Sequence, residues 1–290
     1  PFYTFYSMFG FQRVGDQIWS AADARARGFL MGATAGRTTL NGEGLQHQDG
    51  HSLLMASAVP HCRAWDPAYA YELATIIRHG IEEMWGKNLD VFHYIMLYNE
   101  NQQQIPKPEG TDEGIIRGAY LLEETTGNGP KVRLLGSGPI LNLVREAATE
   151  LLRDHGVESE VWSVTSYGEL RRIGMEHERK MRLNPGSDSI PYVSECFGDE
   201  TPTIATSDYI CSVPEMIQRW IGGRYIVLGT DGFGRSDTRE ALRSFFEIDT
   251  NSIVVAAISA LEQEGTLPSG TVEKELEKRN LNKERIDKTE

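Results

Sequence analysis

The feature that most constrains the fold of this 290-residue chain is a regular alternation of apolar, β-rich runs with amphipathic helical patterns. Strands are predicted at residues 29–33, 91–98, 132–135, 161–164, 203–206 and 225–228. Helices are predicted at residues 14–26, 67–86, 141–154, 214–221 and 253–264. Strands that alternate with helices favour a mainly parallel sheet with right-handed crossover connections. The sequence therefore predicts an α/β protein.

The alternation stops between residues 99 and 114, where polar residues, Pro106, Pro108 and Gly110 are typical of a linker. We place a domain boundary there, with a first domain at residues 1–107 and a second at 108–290. A chain of this length can form two cores. The charged tail at residues 272–290 is helix-prone.

Two local patterns indicate where helices begin. Asp66 followed by Pro67 predicts a helix start, with Asp66 as the N-cap and Pro67 at the first helical position. The run Gly136-Ser137-Gly138 lies between a predicted strand and a predicted helix, where a phosphate-binding turn would also lie. Because Leu141 stands in place of the third glycine of a dinucleotide-binding motif, a tight strand-to-helix turn is the favoured interpretation.

Charge and composition exclude some classes of function. The chain has 42 acidic and 29 basic residues, and its formal charge of −13 would repel a nucleic-acid backbone. No nucleic-acid partner is therefore expected. No window approaches eighteen consecutive apolar residues, so neither a transmembrane helix nor a membrane partner is expected.

The cysteines indicate a reducing environment. Cys62, Cys196 and Cys211 are odd in number and form no Cys-x-x-Cys pair, so neither a disulfide framework nor a zinc ribbon is indicated. A cytoplasmic location fits best. The chain starts at Pro1 without an initiator Met or a leader pattern, which we interpret as the middle of a longer polypeptide.

A glycine-rich polar segment at residues 36–51 carries the most varied functional groups. It contains one cation, two carboxylates and two imidazoles, which are Arg37, Glu43, Asp49, His47 and His51. Such groups suit a small anionic substrate. His47 is the strongest candidate, because an imidazole titrates near neutrality and can donate to a carboxylate or carbonyl oxygen.

Two other interpretations of this segment are open. His47 and His51 have the spacing of a zinc-ligand pair in a metal-dependent hydrolase, but Gly44 and Gly50 disfavour the helix that such a pair needs, and Gln48 replaces the expected glutamate. No metal ligand is therefore assigned. Glu43 and Asp49 could form an acid–base pair, although loop carboxylates more often are solvated or cap helices.

Three blocks resemble a known family. They are residues 6–13 (YSMFGFQR), the stretch from Arg27-Gly28-Phe29-Leu30 to His51, and residues 228–237 (LGTDGFGRSD). Their order and spacing resemble the homodimeric bacterial type of the pyruvate dehydrogenase first, decarboxylating component, a transketolase-like enzyme. The resemblance extends over essentially the whole chain, which corresponds to the C-terminal third of that subunit.

The resemblance implies a fold and a reaction. Residues 1–107 would complete a pyrimidine-binding domain for thiamine diphosphate, and residues 108–290 would form a transketolase-type C-terminal domain. The parent would decarboxylate pyruvate oxidatively and transfer the acetyl group to the lipoyl domain of a dihydrolipoyl acyltransferase, as a homodimer in a multienzyme complex. The main anchors for thiamine diphosphate and Mg²⁺ are expected outside this chain, so the isolated fragment would be inactive.

The resemblance also implies roles for individual residues. His47 and Tyr6 would be catalytic residues that contact the substrate, with Tyr6 hydrogen-bonding near its carboxylate. Phe9 would pack on the aminopyrimidine ring of the cofactor, and Tyr6 would also be a cofactor-binding residue. Arg13 and Glu43 would belong to a polar active-site channel. As an alternative from another class of function, the chain is a noncatalytic assembly or regulatory module.

Overall fold

A four-stranded, all-parallel sheet organises the first part of the chain in the computed structural model, which describes residues 1–186 and 189–281. Its strands are β1 (Phe2–Tyr6), β2 (Gly28–Ala33), β3 (Cys62–Trp65) and β4 (Phe92–Met96), in the order β1-β2-β4-β3. The helices of this part are α1 (Phe11–Asp23), α2 (Ser52–Ala56) and α3 (Ala70–Ile81). A π-helical turn at Glu82–Gly86 extends α3.

A five-stranded sheet organises the second part. Its strands are β5 (Tyr120–Glu124), β6 (Lys131–Gly136), β7 (Glu158–Ser163), β8 (Thr203–Thr206) and β9 (Tyr225–Leu228), in the order β5-β7-β6-β8-β9. All neighbours are parallel except β5 and β7. The helices are α4 (Asp112–Arg117), α5 (Ile140–His155), α6 (Tyr167–Leu183), α7 (Tyr192–Phe197), α8 (Arg239–Phe246), α9 (Thr250–Gln263) and α10 (Thr271–Lys278). The predicted mainly parallel α/β fold is confirmed.

The central strands are apolar because helices and neighbouring elements cover both of their faces. Every residue of β4 is buried between β2 and β3. In the second sheet, Leu134 of β6 packs in one core with Leu141 of α5 and Ile258 of α9. Burial of one such side chain stabilises the fold by roughly 1.5–3 kcal/mol relative to exposure. Packing of this kind fixes the strand ends from which functional loops extend.

The predicted helix start at Asp66 is wrong. Helix α3 begins at Ala70, and the Glu72 side chain accepts hydrogen bonds from the backbone N–H groups of Ala68 and Tyr69. Asp66 is buried and instead accepts a hydrogen bond from the Tyr98 hydroxyl. Burial raises the pKa of Asp66 to about 7.

Most of the predicted linker is confirmed. Residues 97–111 form neither helix nor strand, but the last residues of the predicted linker are helical because α4 begins at Asp112. The boundary between residues 107 and 108 stays a prediction. The tail is helical at Thr271–Lys278, as predicted, and residues 282–290 lie outside the described residues. The turn at Gly136-Ser137-Gly138 joins β6 to α5, and Gly138 has a left-handed φ of 49°.

One described segment, Arg239–Gln263, is long and apolar enough to cross a membrane by length and composition alone. The segment contains no run of eighteen consecutive apolar residues, and the expectation that the chain has no transmembrane helix stays a prediction. The segment comprises α8 and α9, between which Glu247 takes a left-handed φ of 54°. Ile253, Val254 and Ile258 of α9 are fully buried in the core of the second sheet. This packing is the physical reason for their apolar character.

Candidate active site

The candidate site lies where β1 and β2 end. These strands are parallel neighbours, and Tyr6 at the end of β1 pairs with Ala33 at the end of β2. A 3₁₀ turn at Ser7–Phe9 follows β1, and the glycine-rich segment at residues 36–51 follows β2. Because the carboxyl ends of parallel strands meet at one sheet edge, segments far apart in sequence come together there, as in other open α/β folds.

Tyr6, Phe9 and His47 form a cluster at this edge, which we call the ring cluster. Ring centroids are 5.6 Å apart for Tyr6 and Phe9, 5.5 Å for Tyr6 and His47, and 5.3 Å for Phe9 and His47. The three pairs are tilted by 44–56°, within the geometry that aromatic pairs favour. Tyr6 is 44% exposed, so solvent reaches the cluster.

Two charged side chains flank the ring cluster. Nδ1 of His47 lies 3.0 Å from Oε2 of Glu43, without the alignment of a hydrogen bond, and the contact is an ion pair only when the imidazole is protonated. The guanidinium carbon of Arg13 lies 4.8 Å from the centroid of the Phe9 ring. The structure thus brings together all five residues assigned from the resemblance. Their binding and catalytic roles stay predictions.

Arg37 and His51, by contrast, are paired with each other. Arg37 is 1% exposed, and its Nη2 lies 3.2 Å from Nε2 of His51. Since a guanidinium can only donate, Nε2 of His51 accepts, and the ring is neutral. Burial, reinforced by the Arg37 charge, lowers the pKa of His51. Arg37 is therefore buried, and the half-buried His51 lies against it.

Asp49 caps a helix. Its Oδ1 accepts hydrogen bonds from the backbone N–H groups of His51 and Ser52, each at 3.0 Å, at the start of α2. Capping of this kind satisfies N–H groups that have no partner within the helix. The capping interpretation of this loop carboxylate is confirmed. An acid–base pair between Asp49 and Glu43 is not supported.

The zinc interpretation finds no support in the geometry. Nε2 of His51 is engaged by Arg37, and its Nδ1 lies 3.0 Å from the side-chain amide of Gln12, so neither ring nitrogen faces an open position. Within residues 1–186 and 189–281, no group of three or more His, Cys, Asp and Glu side chains is placed to hold a metal ion.

A buried carboxylate, which sequence reasoning missed, joins the site segment to the second part of the chain. Oδ1 of Asp208 accepts hydrogen bonds from the backbone N–H of Thr38 at 3.1 Å and from its hydroxyl at 2.7 Å. Burial raises the pKa of Asp208 to about 6, although Thr38 and Arg243 oppose the shift. Gly36, with a φ of 87°, lies against this carboxylate, and a Cβ there would lie 2.1 Å from Oδ2. Glycine is thus required at position 36, because the backbone is left-handed there and a side chain would collide with Asp208.

The glycine-containing loop at residues 229–234 also lies against the site segment. Gly234 packs on Gln48, and Thr230 donates a hydrogen bond to the carbonyl of Asp208 at 3.0 Å. Residues 229–234 therefore form a loop that lies between the two parts of the chain. From the sequence, Gln48 stands out only as the residue in place of a zinc-site glutamate. Its contact with this loop is therefore not predicted.

Two protein families match the chain. Residues 1–105 match the family described as the pyruvate dehydrogenase E1 component middle domain. Residues 118–249 match the family described as the transketolase-like C-terminal domain.

Curated relatives match nearly the whole chain. The pyruvate dehydrogenase E1 component of Pseudomonas aeruginosa is 53% identical over 98% of this chain, and that of Escherichia coli is 48% identical over 99%. These alignments cover 33% and 32% of the two relatives, so the chain spans about a third of their length.

The fold matches solved transketolases. The transketolase of Leishmania mexicana superimposes with a TM-score of 0.68 over 92% of this chain and 35% of that one, at 18% identity, which shows a shared fold. The chain belongs to the pyruvate dehydrogenase E1 component family, of which it contains the middle domain and the transketolase-like C-terminal domain.

Proposed function

We propose that the full-length subunit containing this chain catalyses the thiamine-diphosphate-dependent oxidative decarboxylation of pyruvate and transfers the acetyl group to a lipoyl group of an acyltransferase partner. The observation that carries the proposal is the exposed ring cluster of Tyr6, Phe9 and His47 at the carboxyl edge of a parallel sheet. The relatives that share this sequence are named pyruvate dehydrogenase E1 components.

The residues of the ring cluster fit the heterocyclic end of thiamine diphosphate. Phe9 is half-buried and Tyr6 is exposed, so both can pack against an aromatic ring. The cluster does not fit the diphosphate end, because Mg²⁺ prefers several oxygen ligands and Glu43 is the one carboxylate that contacts a ring here among the described residues. We therefore place the diphosphate and Mg²⁺ anchors in the remainder of the subunit.

His47 has the chemistry to hold or move a proton beside pyruvate. With Nδ1 facing the Glu43 carboxylate, Nε2 points the other way along the ring and is the atom that would meet the substrate. When its Nε2 carries a proton, the ring can donate to a carboxylate or carbonyl oxygen. The bound cofactor supplies the electron sink for loss of carbon dioxide.

Tyr6 and Arg13 would orient the substrate. The exposed Tyr6 hydroxyl can donate to the carboxylate of pyruvate, and its ring contact with His47 keeps both groups on one side of the site. Arg13 adds a positive charge beside Phe9 that favours an anionic substrate. Orientation of reacting groups is itself a large contribution to catalysis.

A homodimer that works with a lipoyl-bearing partner in the cytoplasm is part of the proposal. Phe2 and Tyr3 of β1 are 59% and 65% exposed, and exposed aromatic side chains of this kind favour association with other protein surfaces. No disulfide links Cys62, Cys196 and Cys211, all of which lie among the described residues, and this suits a reducing compartment.

The test is a His47→Ala variant of the full-length subunit, assayed for pyruvate-dependent reduction of an artificial electron acceptor with thiamine diphosphate and Mg²⁺. Turnover is expected to fall by about 10²-fold or more, the usual scale for loss of a positioned acid–base group. The matched control is His177→Ala, which removes a histidine of α6 remote from the ring cluster. Turnover of His47→Ala within threefold of wild type would refute the assignment.

A further inference from the structure

Gln48, the residue after His47, forms a reciprocal pair of hydrogen bonds with the main chain of Arg235. Its Nε2 donates to the Arg235 carbonyl at 2.6 Å, and its Oε1 accepts from the Arg235 N–H at 2.6 Å. Gln48 is fully buried. One side-chain amide thus bonds both main-chain groups of a residue that lies 187 positions away. We call this pair of bonds the amide clamp.

The main chain that receives the clamp is itself held in place. A Cβ at Gly234 would lie 2.3 Å from Oε1 of Gln48, so the glycine leaves room for the Gln48 side chain. On the other side, the guanidinium carbon of Arg235 lies 4.1 Å from the centroid of the Phe245 ring in α8. Helix α8 belongs to the second part of the chain, so the clamp has a rigid support there.

Further bonds tie the same two segments together. Gly42 donates its N–H to the Asp237 carbonyl at 3.0 Å, and the Ser236 hydroxyl donates to the Glu43 carbonyl at 2.8 Å. Arg239, the first residue of α8, donates through Nε to the Thr39 carbonyl at 2.6 Å. Residues 39–48 are therefore bonded to residues 235–239 along most of their length. The amide clamp is the bond pair nearest to His47.

We propose that Gln48 is a positioning residue for His47, and that through the amide clamp the C-terminal domain sets the position of the ring cluster. His47 closes a 3₁₀ turn, Leu45–His47, and Gln48 donates its N–H to Leu45 in that turn at 3.3 Å. Loss of the clamp frees one end of the turn and removes the Gln48 partner of both Arg235 main-chain groups. The proposal deepens the proposed function, on which it rests.

Three variants of the full-length subunit test this idea. Gln48→Met keeps the length of the side chain and removes both bonds, whereas Gln48→Glu keeps an acceptor for the Arg235 N–H. The matched control is Gln46→Met, because Gln46 is exposed and makes no hydrogen bond within the part of the chain that the structure describes. Each variant is measured for kcat and KM with pyruvate, and for backbone amide hydrogen exchange at Gly42, His47 and Gln48.

Gln48→Met is expected to lower kcat by about tenfold or more with KM nearly unchanged, because small displacements of a catalytic group cost rate. Amide exchange at the three residues should accelerate, Gln48→Glu should restore part of both effects, and Gln46→Met should match wild type. Unchanged exchange in Gln48→Met, or faster exchange with wild-type kcat, would overturn the proposal. A wild-type subunit without pyruvate turnover would refute the proposed function and, with it, the catalytic purpose of the clamp, while the exchange data would still report whether Gln48 holds the segment.

Discussion

Glu43 and His47 lie four residues apart, with the carboxylate Oε2 3.0 Å from the imidazole Nδ1. The two residues belong to a glycine-containing loop, in which the 3₁₀ turn Leu45–His47 follows Glu43. Glu43 is 44% exposed at its side chain, so solvent screens the pair. The carboxylate can orient the imidazole, but its energetic contribution is small.

Glu43→Gln should lower turnover of the full-length subunit by roughly two- to fivefold, since exposed ion pairs are worth about 0.2–1 kcal/mol. The effect should disappear when His47 is already alanine, because the carboxylate acts through the imidazole. A double-mutant cycle of kcat/KM measures this coupling. Equal losses from Glu43→Gln in both backgrounds would show that Glu43 acts independently of His47.

Phe9→Ala should weaken thiamine-diphosphate binding by roughly 1–3 kcal/mol, because it removes a ring that would pack on the heterocycle. Isothermal titration calorimetry on the full-length subunit gives the affinity, and thermal unfolding gives the effect on the fold. Trp85→Ala is a suitable control, since Trp85 is an exposed aromatic in the turn that precedes β4, at the opposite edge of the sheet. Unchanged affinity together with a large fall in the melting temperature would assign Phe9 to the core instead.

The fold could be predicted where both faces of a strand are covered. Strand β8 matches its predicted range, and all four of its residues are buried; β9 also matches its range, although its residues are only partly buried. Strand β3 was missed because its polar and small residues, such as Cys62 and Arg63, carry no apolar alternation and acquire their strand conformation from pairing with β4. Tertiary contacts, rather than local propensity, decide such edge strands.

The candidate site was predictable only in part. The grouping of Tyr6, Phe9 and His47 came from the resemblance, and parallel strand pairing supplies its physical basis. By contrast, the bonds of Thr38 to Asp208 and of Gln48 to Arg235 join residues 170 and 187 positions apart. No local pattern encodes such pairs, since they depend on how the two sheets pack together. The burial of Arg37 could not be predicted from the sequence for the same reason.

Gly36→Ala should destabilise the protein by about 2 kcal/mol or more, because alanine is strained at a φ of 87° and its Cβ would collide with the Asp208 carboxylate. Gly44→Ala is the matched control in the same segment, since Gly44 has a φ of −77° and no atom within 4 Å of the added Cβ. Chemical denaturation of both variants makes the comparison. Equal stabilities would show that the contact between Gly36 and Asp208 is not tight.

Stability should depend on pH through Asp208. Burial raises its pKa to about 6 from an ordinary value of 3.8, so between these values the native state holds a proton that the unfolded chain has released. Its contribution to stability therefore falls as the pH rises from about 4 to 6, by roughly 3 kcal/mol in total. Asp208→Asn removes the titrating carboxyl group. The variant should therefore gain stability relative to wild type as the pH rises from about 4 to 6. Melting temperatures of both proteins from pH 4 to 7 measure the difference in stability. A difference in melting temperature that does not change with pH would contradict the expectation.

The isolated 290-residue chain is expected to lack pyruvate-decarboxylating activity and to associate with itself. The main anchors for the diphosphate and Mg²⁺ are expected outside this chain, so we expect the ring cluster alone to bind the cofactor weakly. The exposed aromatic side chains of β1, Phe2 and Tyr3, favour contact between copies. Sedimentation velocity and a pyruvate assay with added thiamine diphosphate and Mg²⁺ test both statements, with the full-length subunit as the positive control. A monomeric chain that converts pyruvate would show that the ring cluster and the two domains described here suffice for catalysis.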